Sequence, residues 1–186
     1  VSQASNYYDL PLSHAYLDYE KAIVVSVLSK SFGLSGLRIG WVVTNSLTLL
    51  TQLLSIKSYQ SICCSTVDES LACLAFINQE KIIDANNQLI KENIETFEHF
   101  VRHHEQLFSW VRPKAGLLAL VSFNSDMPID LWAKQVAKET GILILPSTLF
   151  GLTGQYFRLG LGQSNFSQLL EELSSYIEKA IFIESL

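Results

Sequence analysis

Lys30 stands at the edge of the apolar run "AIVVSVLS", and the glycines Gly33, Gly36 and Gly40 and the arginine Arg38 follow it in "SKSFGLSGLRIGW", residues 29–41. A soluble protein seldom sets a lysine against buried apolar surface without a chemical or electrostatic reason. An uncharged lysine amine attacks a carbonyl carbon to form an imine, and a desolvated strand end with cations nearby is where its pKa falls far enough. Arg38 carries a planar fork of donors suited to a phosphate dianion. Ser29, Ser31 and Ser35 add hydroxyls, and the glycines let backbone amides approach a ligand closely. The spacing therefore separates two tasks, covalent attack by Lys30 and anion binding by Arg38.

The neighbouring elements must hold those side chains in place. Residues 22–29 are continuous, β-branched and flanked by Lys21 and Lys30, the pattern of a strand buried on both faces in a mostly parallel sheet. "LRIGWVVT", residues 37–44, reads the same way, so Lys30 is expected at the carboxyl end of a central strand. Leu47, Leu50, Leu53, Leu54 and Ile56 have helical spacing over 46–60, with Asn45 or Ser46 as cap. A second helix starts near "STVDES", where Thr66 and Glu69 have capping-box spacing. A long polar-faced helical stretch covers about 80–108, as one bent helix or two. After Pro113 the pattern becomes α+β: strands at "LLALVSF", "ILIL" and "YFRLGL", a helix over 130–140 closed by Gly141, and a final helix over 166–183. A boundary near residue 85 is expected, with a partial α/β domain over 1–85 and a smaller α+β domain over 86–186.

Composition narrows the function classes. With 186 residues, 48% of them hydrophobic, the chain can bury one substantial core or a core and part of another. The formal charge of -5 with no basic block gives no footprint for nucleic acid. The longest apolar runs are too short to span a bilayer, so no membrane association is expected. Cys63, Cys64 and Cys73 lack metal-site spacing, and their odd number suits a reducing, cytoplasmic location; Cys63 and Cys64 read as small buried hydrophobes. Glu95, His99 and His103 fall one helical turn apart, which could set three metal ligands on one face, but the pattern reads as a solvated helix face and no metal is expected. The sequence begins at Val1 and its one methionine is Met127, so the chain is expected to be a piece of something longer.

"SKSFGLSGLRIG" closely resembles the lysine segment of class I/II, fold-type I aminotransferases dependent on pyridoxal phosphate (PLP). The resemblance implies that Lys30 forms a Schiff base with the cofactor and later shuttles the substrate's α-proton, that Arg38 binds the cofactor phosphate, and that Ser29 lies beside it. "PKAGLLALVSF" is similar to the family's glycine-containing strand entering the small domain, "GILILPSTLFG" to its segment closing over the substrate. "YFRLGLG" is similar to the strand whose arginine, here Arg158, clamps the substrate's α-carboxylate. In "QASNYYDL", Tyr7 or Tyr8 matches the tyrosine that hydrogen-bonds the cofactor's phenolic oxygen. The likeness covers residues 20–186 and implies an α/β fold: a partial fold-type I PLP-transferase large domain, then a small α+β carboxyl-terminal domain. It also implies an amino acid and a 2-oxo acid as substrates and a homodimer with active sites at its interface.

Two positions depart from that pattern. The family carries an aspartate three residues before the tyrosine, paired with the pyridine nitrogen; here the position holds Ala4 or Ser5. Val27 stands where relatives carry a phosphate-binding serine or threonine. The family's glycine-rich turn, ring-stacking aromatic and adjacent asparagine precede the segment seen here. Two alternatives therefore stand beside amino transfer: a related PLP lyase or decarboxylase, and a catalytically inactive remnant or interaction module.

Overall fold

A computed structural model describes residues 5–8 and 19–184, and the chain divides into two compact units, residues 1–87 and 88–186. In the first unit, the β-branched run forms β1 (Ile23–Val27), which pairs with β2 (Gly40–Thr44), Ile23 opposite Thr44 and Val27 opposite Gly40. The pairing is antiparallel and Ile23 and Val25 are exposed, which corrects the expectation of a parallel strand buried on both faces. The connection folds straight back: the Leu28 N–H donates to the Ile39 carbonyl (3.0 Å) at its base, where a parallel partner would need a long crossover. A Val/Ile run suits either direction, so composition does not report which one forms.

The connection contains one helical turn, α1 (Leu28–Ser31), and a 3-10 turn at Ser35–Leu37. Helix α2 (Leu47–Gln60) is capped by Ser46, whose hydroxyl accepts from the Leu49 N–H. Helix α3 (Thr66–Ile77) is capped by Ser65, not Thr66, because Ser65 has the extended backbone that aims its hydroxyl at the Asp68 N–H. Leu28, Phe32, Ala72 and Ala75 form the small core of this unit, and Phe32 and Trp41 both meet Phe76 edge-on.

Helix α4 (Gln79–His103) is a single helix and ends earlier than expected. The chain turns at His104, whose carbonyl accepts from the Leu107 and Phe108 N–H groups, and enters a strand that the sequence pattern did not reveal, β3 (Phe108–Trp110). The second unit continues with β4 (Leu118–Phe123), α5 (Ile129–Thr140), β5 (Leu145–Pro146), β6 (Tyr156–Gly160) and α6 (Phe166–Glu184). Its sheet has the order β3-β4-β6-β5, with antiparallel pairing throughout. The strand expected at "ILIL" is shorter and later, Leu145–Pro146, paired with Arg158 and Phe157 of β6.

Phe108, Val121, Phe123 and Phe157 lie buried on one face of this sheet, packed among Trp132 of α5 and Phe97 and Phe100 of α4. The buried Asn93 of α4 donates to the carbonyls of Leu161 (2.9 Å) and Gln163 (2.8 Å), fixing the segment that follows β6. Among the described residues, no helix is long and apolar enough to cross a membrane.

Candidate active site

Leu28 of α1 and Phe32 just after it lie a turn apart and both belong to the small core, which turns Lys30 between them away from it. Lys30 is accordingly exposed and Ser29 half-buried. The turn is fixed by main-chain bonds: the Gly33 N–H donates to the Lys30 carbonyl (3.3 Å) and the Leu34 N–H to the Leu28 carbonyl (3.1 Å). Gly33 has φ +69, in the left-handed region that favours glycine.

Arg38 closes the same connection, immediately before Ile39 and Gly40, so Ser29, Lys30 and Arg38 all lie at one end of the β1–β2 pair. Its backbone is left-handed, φ 52 and ψ 28, which for a residue with a Cβ costs about 1–2 kcal/mol. Non-glycine residues held there are often functional. The guanidinium is exposed and its Nη1 donates to the Ser35 carbonyl (3.1 Å), which orients the fork while spending one of its donors. Gly40 has its own requirement: a Cβ there would lie 2.7 Å from Val27 Cγ1 and 2.8 Å from the Ser26 carbonyl oxygen.

Tyr7 belongs to the same compact unit and is 2% exposed, its ring edge-on to Tyr8 at 5.1 Å. Ser5, three residues before Tyr8, is buried as well and brings no carboxylate to that position. Asp9 lies outside the described residues.

Arg158 lies in the second unit, on β6, where register alternation sets it on the face opposite the buried Phe157 and beside Leu120 of β4. Its guanidinium carbon stands 4.8 Å from the centre of the Phe150 ring. Among the described residues no carboxylate pairs with Lys30, Arg38 or Arg158. Phe150 beneath Arg158 was invisible to pattern reading, because the ring approaches from a separate 3-10 turn, Ser147–Phe150.

The expected burial of Cys63 and Cys64 is corrected, whereas Glu95, His99 and His103 are all exposed, as a solvated helix face should be. Cys63 is exposed and Cys64 partly so, because both lie in the connection between α2 and α3, where Ile62 takes φ 57; Lys57 Nζ lies 3.5 Å from Cys64 Sγ. Of the Glu95, His99 and His103 stripe, Glu95 bonds Arg112, whose guanidinium holds the carboxyl below its ordinary pKa. His103 turns toward Glu178 instead.

Residues 4–173 match the family profile of class I and II aminotransferases. The chain belongs to that family. It is 24% identical to capreomycidine synthase of Streptomyces vinaceus over 141 residues, 76% of this chain and 36% of that protein. It is 27% identical to histidinol-phosphate aminotransferase 2 of Oceanobacillus iheyensis over 173 residues, 92% of this chain and 43% of that protein. The crystal structure of a PLP-dependent aminotransferase from Streptococcus suis superposes with a TM-score of 0.79 at 31% identity, covering 87% of this chain and 43% of that one. The chain thus has the mixed α/β fold of fold-type I enzymes and spans less than half the length of these relatives. PLP is the cofactor of the family.

The residues present fit that group in kind: an exposed amine for its carbonyl carbon, and a hydroxyl and a guanidinium without a carboxylate partner for its phosphate.

Proposed function

We propose that this chain carries the lysine and arginine part of a PLP-dependent aminotransferase that moves an amino group between an amino acid and a 2-oxo acid. The observation that supports this most is the placing of Ser29, Lys30 and Arg38 on one short connection, with Arg38 held in a left-handed conformation. When bound, PLP supplies an electron sink beside the substrate's α-carbon. Lys30 would hold the cofactor at its carbonyl carbon, and its amine would take and return the proton at the substrate's α-carbon. Arg38 and Ser29 hold the phosphate, Tyr7 donates to the phenolic oxygen, and Arg158 offers paired N–H groups to the substrate's α-carboxylate. Residues 1–85 are then the carboxyl-terminal part of the PLP-binding large domain and 86–186 the small α+β domain. The working unit is a homodimer in the cytoplasm, a location in keeping with the free cysteines Cys63, Cys64 and Cys73.

Two observations favour other readings. Ala4 or Ser5, according to which tyrosine takes the role, stands at the position of the family's acid, and the missing carboxylate weakens protonation of the ring nitrogen, which supports a chain that keeps the fold without the activity. The likeness to a synthase supports a different reaction at the same cofactor, such as that of a lyase or decarboxylase.

Titrating the purified chain with PLP, reducing with borohydride and mapping the labelled peptide separates them. A saturable visible band with label on Lys30, absent from Lys30→Ala, is the expected result, and an amino donor should then bleach the band. Weak label scattered over surface lysines would overturn the cofactor reading and leave the inactive one.

A further inference from the structure

At the end of α4 the structure gathers three nitrogen and oxygen donors that the aminotransferase reading does not use. His103 Nε2 lies 3.5 Å from Glu178 Oε1 on α6, and the ring of His104 stands edge-on to that of His103 at 4.8 Å. His104 Nε2 lies 2.7 Å from Ser174 Oγ, and the Ser174 hydroxyl donates to Glu178 Oε1 at 3.2 Å. One ligand atom from each of His103, His104 and Glu178 falls within 4.8 Å of the other two.

We propose that His103, His104 and Glu178 form a binding site for a divalent transition metal of the zinc type, with water in the fourth position. Two imidazoles and one carboxylate are a donor set that Zn²⁺ takes, whereas Mg²⁺ and Ca²⁺ demand oxygen ligands. Ligand atoms about 2.0–2.1 Å from a tetrahedral centre stand roughly 3.3–3.4 Å apart, close to the His103–Glu178 separation. The remaining contraction falls on mobile groups, since the His103 and Glu178 side chains are 68% and 59% exposed. His104 is the fixed member: it is buried against Phe100 and Phe108, and its hydrogen bond to Ser174 holds the ring in place.

Without a metal the cluster has little to recommend it energetically. An exposed His–Glu pair contributes little to stability. With one, the end of α4 and the middle of α6, far apart in the chain, become cross-linked, and binding to the folded state alone raises the melting temperature by mass action. The site is independent of the cofactor: it needs neither Lys30 nor PLP.

The test uses the full chain, freed of metal with a chelator and kept free of PLP. Zn²⁺ is titrated in competition with a chromophoric chelator, and Co²⁺ serves as the spectroscopic probe. One equivalent is expected to bind and to raise the melting temperature. His103→Asn and Glu178→Gln are each expected to weaken binding about tenfold or more, while His99→Asn leaves it unchanged. Because thiols also take zinc, the Cys63→Ser/Cys64→Ser double variant must retain the bound equivalent. His104→Asn is not required, since that buried position affects folding. No binding at micromolar Zn²⁺, or binding that both ligand variants leave within about threefold of the starting affinity, would overturn the site.

Discussion

The two units are built in different ways. The second folds around interlocked rings: Phe97, Phe108 and Phe157 are buried, and Trp132 lies between sheet and helix. Among its described residues the first has a core cluster of four, Leu28, Phe32, Ala72 and Ala75, beside its lysine-bearing loop, while α2 buries none of its own and exposes Leu54 (64%) and Tyr59 (92%). The loop with the richest chemistry thus belongs to the unit with the smaller core. What shapes that loop is main-chain hydrogen bonding and unusual backbone conformation, more than packing.

If that contrast is real, substitutions should sort by unit. Phe97→Ala, in the ring cluster, is expected to cost about 3–5 kcal/mol, read from chemical denaturation. Gly40→Ala comes next at about 1–3 kcal/mol, because the new methyl meets Val27 and the Ser26 carbonyl. Its signature should include weaker PLP labelling of Lys30, since the change splays the strand pair that carries the loop.

A smaller effect is expected from acid. Arg112 holds Glu95 below its ordinary pKa, so the native state releases that proton more readily than the unfolded chain. The stabilisation is therefore present above about pH 4.5 and is lost as pH falls through the lowered value. Arg112→Gln should flatten that part of a stability–pH curve, slightly, as befits an exposed pair. Leu54→Ala should do least, within about 0.5 kcal/mol. A cost like that of Phe97→Ala would show that α2 is buried in the working protein, for instance in an assembly, and the contrast between units would fall.

Much of this was legible beforehand, for identifiable reasons. Lys30 and Arg38 are close in sequence, so the expectation that they share a site could be read from their spacing, and Leu28 and Phe32 explain why Lys30 faces outward. The helices over 47–60 and 166–184 follow from apolar period. Strand direction did not follow, because a Val/Ile run fits parallel and antiparallel ladders alike. The strand at Phe108 was hidden because the apolar spacing of α4 runs on past the turn at His104. The donors at His103, His104 and Glu178 were hidden for the opposite reason: they meet only through tertiary packing, and the regular Glu95, His99, His103 stripe drew attention to the wrong partners.

Arg38 bears on how such a chain would change over generations. Its backbone conformation suits glycine best and asparagine next, so a lineage released from any need for a cation there would gain stability by drifting to either. An arginine at such a position works against that drift. Among relatives, the identity of this one residue should therefore sort chains still under selection to hold an anion from those in which the fold alone is kept.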